Sequence, residues 1–109
     1  MLFRSLDDMK IQDVNLIKEN VPKAAHFLKT LSNSARLMVL CQLVEGEKSA
    51  GDLWKDSELS QSAFSQHLAV LRKNGYVSIR KEAQTVYYSL SNKKCIAILQ
   101  TLKDIFCVD

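Results

Sequence analysis

The sequence predicts a mainly α-helical fold with a β-hairpin wing, a winged helix-turn-helix in the order ααααββα. Three observations point there. Four stretches before Gly75 repeat apolar residues at helical spacing, most of them opening near a serine or asparagine. The stretch "YVSIRKEAQTVYYSL" then alternates apolar and polar residues, as strands do, before helical spacing returns. One proline and three glycines in 109 residues leave little punctuation for long loops.

The elements follow in order. Ile11, Val14 and Ile17 lie at helical spacing. Asn20, Val21 and Pro22 look like an N-cap and first turn, because proline is tolerated there. Ala24, Phe27, Leu28 and Leu31 continue one apolar face. Whether Pro22 starts a helix or kinks a longer one is open at this level. "SNSARLMVLCQLVEGE" restarts on caps at Ser32 to Ser34 and stops at Gly46. "SAGDLWKDS" is a short helix with Ser49 as its cap and Asp52 three residues on. "ELSQSAFSQHLAVLRKNG" is capped by Ser60 and closed by Gly75, with Arg72 and Lys73 in its last turn. Val77 and Ile79, then Val86, Tyr88 and Leu90, form the hairpin, with "RKEAQT" expected as its turn. Ser91 or Asn92 caps a last helix carrying Ile96, Leu99, Leu102, Ile105 and Phe106. The first and last helices have broad apolar faces that a small monomer would struggle to cover. They are expected to pair across a homodimer.

Composition narrows the function classes. Hydrophobic residues are 47% and charged residues 25%, a globular profile. No apolar run approaches the roughly 20 residues of a membrane helix, and "MLFRSLDDMK" lacks a signal segment, so no membrane partner and a cytoplasmic location are expected. There cysteines default to thiols, and three of them, an odd number, argue against a disulfide framework. All of the net charge of +3 falls between Ser60 and Leu90, where Arg72, Lys73, Arg80 and Lys81 face only Glu82. That asymmetry suits a polyanion, though four cations are also an ordinary solvated surface.

A helical wheel of the fourth helix gives the asymmetry a shape. Gln61, Ser62, Ser65, Gln66, Ala69, Arg72 and Lys73 fall on one side, within about 140°. Ala63, Phe64, His67, Leu68, Val70 and Leu71 fill the other. Glutamine and serine can read base edges in the major groove, and Arg72 and Lys73 suit phosphates. A merely solvated face would favour Glu and Lys over Ser and Gln. His67, on the apolar side, reads mainly as a packing or hydrogen-bonding residue. In the wing, Arg80, Lys81, Gln84 and Thr85 suit the backbone or minor groove of flanking DNA. Tyr87 and Tyr88 read as sheet and core residues.

"LSNSARLMVLCQL", "LSQSAFSQHLAVLRKNGYV" and "RKEAQTVYYSL" together resemble the ArsR/SmtB family of bacterial winged-helix repressors, over roughly residues 24–107. The resemblance implies a homodimer built on the first and last helices, bound to an imperfect inverted repeat. The chain is expected to divide into an N-terminal extension, residues 1–20, expected to be helical, and a winged helix-turn-helix DNA-binding and dimerisation domain, residues 21–109. The expected location is the cytoplasm, at the nucleoid when DNA-bound.

Arsenic sensors of the family carry closely spaced cysteines near the third helix, where "GEKSAGDLWKDS" has none. Zinc sensors place His and carboxylates on the last helix, where "NKKCIAILQTLKDIFC" offers only Asp104. A composite site of Cys41, Cys107 and His26 stays conceivable, but no metal and no cofactor are expected. Cys41 and Cys107 resemble the sensing dithiol of the sulfide- and redox-responsive branch of the family, the BigR, SqrR and HlyU type. In that branch reactive sulfur species or another oxidant would link the pair, and the repressor would leave its operator. Cys41 also fits simple packing, between Leu37, Leu40 and Val44. Cys95 matches nothing in the family pattern and reads as a bystander. An HlyU-type activator that displaces another DNA-bound protein, or a metal-responsive repressor, are the alternatives. No glycine-rich loop, oxyanion site or Cys-x-x-Cys supports an enzyme.

Overall fold

A computed structural model describes residues 14–107. Five helices and three strands follow in the order α1 (Val14–Leu31), α2 (Ser34–Leu43), β1 (Lys48–Ser49), α3 (Ala50–Lys55), α4 (Gln61–Lys73), β2 (Val77–Glu82), β3 (Thr85–Leu90) and α5 (Lys93–Phe106). This is the expected winged helix-turn-helix with one addition. The two-residue β1 pairs antiparallel with β3, Lys48 opposite Tyr88 and Ser49 opposite Tyr87, so the sheet has three strands in the order β1-β3-β2. Two residues give no alternation to detect, which is why β1 is silent in the sequence.

Pro22 lies inside α1, which runs unbroken across it. The boundary expected between residues 20 and 21 therefore falls within a helix. Asn20 does not cap anything; its amide donates to the Leu16 carbonyl at 2.8 Å. A mid-helix proline removes one backbone donor and is tolerated here on a largely exposed helix. Ile11 lies outside the described residues.

The other caps are where side-chain chemistry puts them. Asn33, Ser49, Ser60 and Asn92 each accept a backbone N–H from the third residue on, those of Arg36, Asp52, Ala63 and Cys95. The end of α4 is a Schellman turn. Tyr76 N donates to Leu71 O at 3.0 Å and Gly75 N to Arg72 O at 3.0 Å, with Gly75 at φ 75. Tyr76 is thereby driven into the core, where its ring meets Phe27 of α1 edge-on, centroids 5.2 Å apart.

The hairpin is tighter than expected. β2 and β3 pair from Val77–Leu90 to Glu82–Thr85, leaving only Ala83 and Gln84 as the turn. Arg80, Lys81 and Thr85 are strand residues. Ala83 sits at φ 55, a conformation glycine usually supplies, so the sequence carries no turn signal there.

The core gathers around α2. Val39, Leu40 and Leu43 are buried together with Leu53 of α3, Leu68 and Leu71 of α4 and Leu99 of α5. The Schellman turn yields a prediction. A Cβ at Gly75 meets nothing within 4 Å, so Gly75→Ala suffers from backbone conformation alone. Urea unfolding should show a loss of about 1–2 kcal/mol; unchanged stability would contradict the assignment of a left-handed Gly75.

Candidate nucleic-acid interface and thiol groove

Burial along α4 follows the wheel. Gln61, Ser62, Ser65, Gln66, Ala69, Arg72 and Lys73 are exposed, whereas Phe64, Leu68 and Leu71 are buried. The face is held by two fixtures. The turn before α4 is pinned by Trp54, whose indole donates to Leu59 O at 2.9 Å. The middle of α4 is tied to α2 by His67, whose Nδ1 lies 3.3 Å from Arg36 Nη1. A guanidinium only donates, so this nitrogen of His67 is the acceptor. Arg36 is itself fixed by its Nε donating to Thr30 O at 2.7 Å. His67 is thus a seam residue, with α2 as its partner. His26 is occupied elsewhere: its Nε2 meets Asn74 Oδ1 at 3.1 Å, joining α1 to the end of α4.

The wing divides its cations. Lys81, Gln84 and Thr85 are exposed around the hairpin tip. Arg80 is committed. Its Nη2 and Nε donate to the two carboxylate oxygens of Glu47 at 2.8 and 3.1 Å, and its Nη1 donates to Glu82 at 2.7 Å. Its guanidinium carbon also lies 4.5 Å from the centre of the Tyr87 ring. These bonds hold the Glu47 carboxyl below its ordinary range and raise Arg80 further. A phosphate reaching Arg80 would compete with two carboxylates. Sequence reasoning missed this clamp. Glu82 was discoverable, since residues two apart share a strand face, but Glu47 joins only through the fold.

The three cysteines fall into two groups. Cys95 is the packed one, 0% exposed in the core. Cys41 and Cys107 are both exposed free thiols. They line one groove of about 420 Å³ between α2 and the last turn of α5. Leu37 and Val44, the expected packing neighbours of Cys41, are its neighbours in that groove wall, while Leu40 points into the core. Partial burial, and then the nearby Cys107, raise the Cys41 thiol above its ordinary 9.0. Burial, and then Cys41, push Cys95 up to about 11. Cys41 therefore stands within electrostatic reach of both other cysteines. Among the described residues no group of three or more His, Cys, Asp or Glu is placed to hold a metal ion. No described helix is long and apolar enough to cross a membrane.

Residues 33–78, which hold α2, α3 and α4, match the family described as bacterial regulatory protein, arsR family. Transcriptional activator HlyU of Vibrio cholerae is 46% identical over 99 residues, covering 91% of this chain and 89% of its own. The chain belongs to the arsR family of bacterial regulatory proteins. It is a transcriptional regulator of the kind HlyU represents. The biofilm growth-associated repressor of Xylella fastidiosa is 38% identical over 91 residues, 84% of this chain and 80% of its own. Reduced HlyU from Vibrio cholerae superimposes with a TM-score of 0.82 at 45% identity, over 87% of this chain and all of that one. BigR from Xylella fastidiosa gives a TM-score of 0.79 at 36% identity, over 90% of this chain and 100% of its own. One relative is named an activator and another a repressor, so the fold does not set the sign of regulation.

The thiol placements predict a labelling pattern. Iodoacetamide on the folded protein should modify Cys41 and Cys107, and Cys95 only after denaturation; labelling of native Cys95 would contradict its burial. The unfolded Cys95 thiol ionises near 9.0 and the folded one near 11. The folded state thus holds its proton longer, and stability should fall as pH rises through that window. Cys95→Ala should flatten this fall in pH-dependent urea titrations.

Proposed function

We propose that this regulator is a homodimeric DNA-binding repressor whose operator affinity falls when Cys41 and Cys107 become covalently linked. The observation that carries the thiol part is the shared groove: both thiols are exposed, and both line the same cleft between α2 and α5. A relative whose structure is described as reduced HlyU supports attention to redox state. Reactive sulfur species or another oxidant would join the two sulfurs directly or through added sulfur atoms. A direct disulfide needs Cα atoms within about 7 Å; a sulfur bridge relaxes that limit. The tie would bias the dimer between two shapes, only one of which spaces its α4 helices for DNA.

On DNA, Gln61, Ser62, Ser65 and Gln66 would meet base edges, and Arg72 and Lys73 the phosphates beside them. Lys81, Gln84 and Thr85 would follow the flanking groove. Arg80 enters as the residue that holds the wing in place, because its charge is already paired with Glu47 and Glu82.

The dimer is supported by α1. Val14, Ile17, Val21, Ala24 and Leu28 repeat at alternating steps of three and four residues, and all but Ile17 are exposed. That is the spacing of a helix-pairing seam. Ile105 on α5 is exposed as well. Two-fold symmetry would set the two α4 helices about 34 Å apart, matched by an imperfect inverted repeat. The site of action would be the cytoplasmic nucleoid.

A second reading is favoured by the likeness to an activator. The same interface could displace another DNA-bound protein and so raise transcription. Promoter-occupancy competition separates the two: an activator of this kind removes a resident protein without blocking polymerase.

Fluorescence anisotropy on operator DNA tests the proposal. The reduced protein should bind with an affinity that falls steeply with salt. Gln66→Ala should lose about 1–3 kcal/mol on the operator and little on unrelated DNA. Lys73→Ala should weaken both and lower the salt slope by about one. Oxidation should release the wild type and leave Cys41→Ser and Cys107→Ser bound. Undiminished wild-type binding after persulfide, with no mass shift joining the two cysteine peptides, would refute thiol control.

A further inference from the structure

The outer face of the wing carries carboxylates where a DNA backbone contact is expected. Residues opposite each other on β2 and β3 share a face of the sheet, so Ser78, Arg80 and Glu82 lie on one side with Ser89, Tyr87 and Thr85. Val77, on the other side, is buried in the core, which makes the Arg80 side the outer one. The neighbouring cations Lys48 and Lys81 stand opposite Tyr88 and Val86 and so belong to the inner face. Thr85, proposed above to follow the flanking groove, shares the outer face with Arg80.

Arg80 has the groups that suit a phosphate. Its Nε–H and Nη2–H form the edge of the guanidinium that grips a carboxylate or a phosphate with two parallel bonds. Glu47 occupies that edge, accepting from Nε at 3.1 Å and from Nη2 at 2.8 Å. A carboxylate thus sits where a phosphate would. Glu47 comes from the loop before β1, and Glu82 takes Nη1 at 2.7 Å. The Arg80 and Glu47 side chains are 48% and 36% exposed, so the pair stands open to an incoming backbone rather than sealed in the core.

We infer that Glu47 is a specificity-determining residue of this regulator: by holding the phosphate-gripping edge of Arg80, it suppresses the attraction of the wing to DNA of any sequence and leaves discrimination to the α4 face. The inference rests on the proposed contact between the wing and flanking DNA. Phosphate contacts are independent of sequence, whereas base contacts are not. A free arginine on the wing would strengthen binding to every duplex. On unrelated DNA the protein can settle wherever that arginine meets a phosphate. On a preferred site the α4 base contacts fix the position of the wing, so a free Arg80 gains less there. The ratio of preferred to unrelated binding therefore falls when Glu47 loses its charge. An exposed ion pair is weak, and so is a single exposed phosphate contact, so one charge is enough to tip the balance between them. Glu47 acts through Arg80 and is a positioning residue.

Fluorescence anisotropy on the full reduced chain tests this with two duplexes of equal length. One is selected by the wild type from a random-sequence library, and the other is its shuffled sequence. Glu47→Gln keeps the side-chain shape and removes the charge. It should bind the shuffled duplex about three- to tenfold more tightly at roughly 100 mM salt, and the selected one by a smaller factor. On the shuffled duplex the slope of log affinity against log salt should steepen by about 0.9 for each wing that gains a phosphate. Both changes should vanish when Glu47→Gln is made in an Arg80→Met background, because the gain travels through that guanidinium. A gain that survives without Arg80 would reduce Glu47 to one acidic charge among others and overturn the inference. Unchanged binding of the shuffled duplex, or equal gains on both duplexes, would overturn it as well. A wing that is merely loosened would not steepen the salt slope. Lys81→Ala separates the inference from the contact on which it rests. If Lys81→Ala weakens binding and Glu47→Gln changes nothing, this inference alone fails; if neither changes binding, the wing contact fails with it.

Discussion

The burial of α2 is the constraint on which the rest depends. Ten residues must present Val39, Leu40 and Leu43 to a core shared by α3, α4 and α5. Once Leu40 is fixed inward, helical geometry turns Cys41 about 100° away, to the wall facing α5. The same fixing sets Arg36 against His67 of α4. One helix thus touches both the thiol groove and the helix whose polar face suits DNA. Any displacement of α2 relative to α5 has a short mechanical route to α4, through packed side chains and one hydrogen bond. That route is the physical content of the proposed coupling.

The second fixed point is the wing. Its strands are short and its two-residue turn places Ala83 in a conformation unfavourable to it. The Glu47–Arg80–Glu82 cluster stacked on Tyr87 offsets that by holding β2 against β3 and the loop before β1. These groups are exposed, so each pair contributes little alone. Their shared arginine keeps the entropic cost of ordering low. The consequence for function is a redistribution of charge. The basic stretch between Ser60 and Leu90 has less free charge than its composition suggests; among the described residues its cations outside an ion pair are Arg72, Lys73 and Lys81.

Much of this was legible in the sequence because it depends on local rules. Caps at Ser49, Ser60 and Asn92, the glycine closure at Gly75 and the two-sided pattern of α4 are properties of a few neighbouring residues. What was not legible depends on long-range placement. β1 exists only because β3 offers it an edge. The hairpin turn hides because no glycine or asparagine marks it. Asn20 and Pro22 carry strong local signals for a helix start, and a continuing helix overrode them. The exposure of each cysteine was not legible either. Cys41 and Cys95 both sit in apolar helical runs, and only the packing of α5 decides that Cys95 is enclosed and Cys41 is not.

The central claim is that a covalent tie between α2 and α5 changes the spacing of the two α4 helices in the dimer. Pulsed electron spin resonance, with a label attached by non-cysteine chemistry at Lys73, measures that spacing directly. The account predicts one narrow distance distribution in the reduced protein, compatible with reading helices about 34 Å apart, and a shift of several ångströms once Cys41 and Cys107 are joined. An identical distribution in the reduced and linked proteins would contradict it.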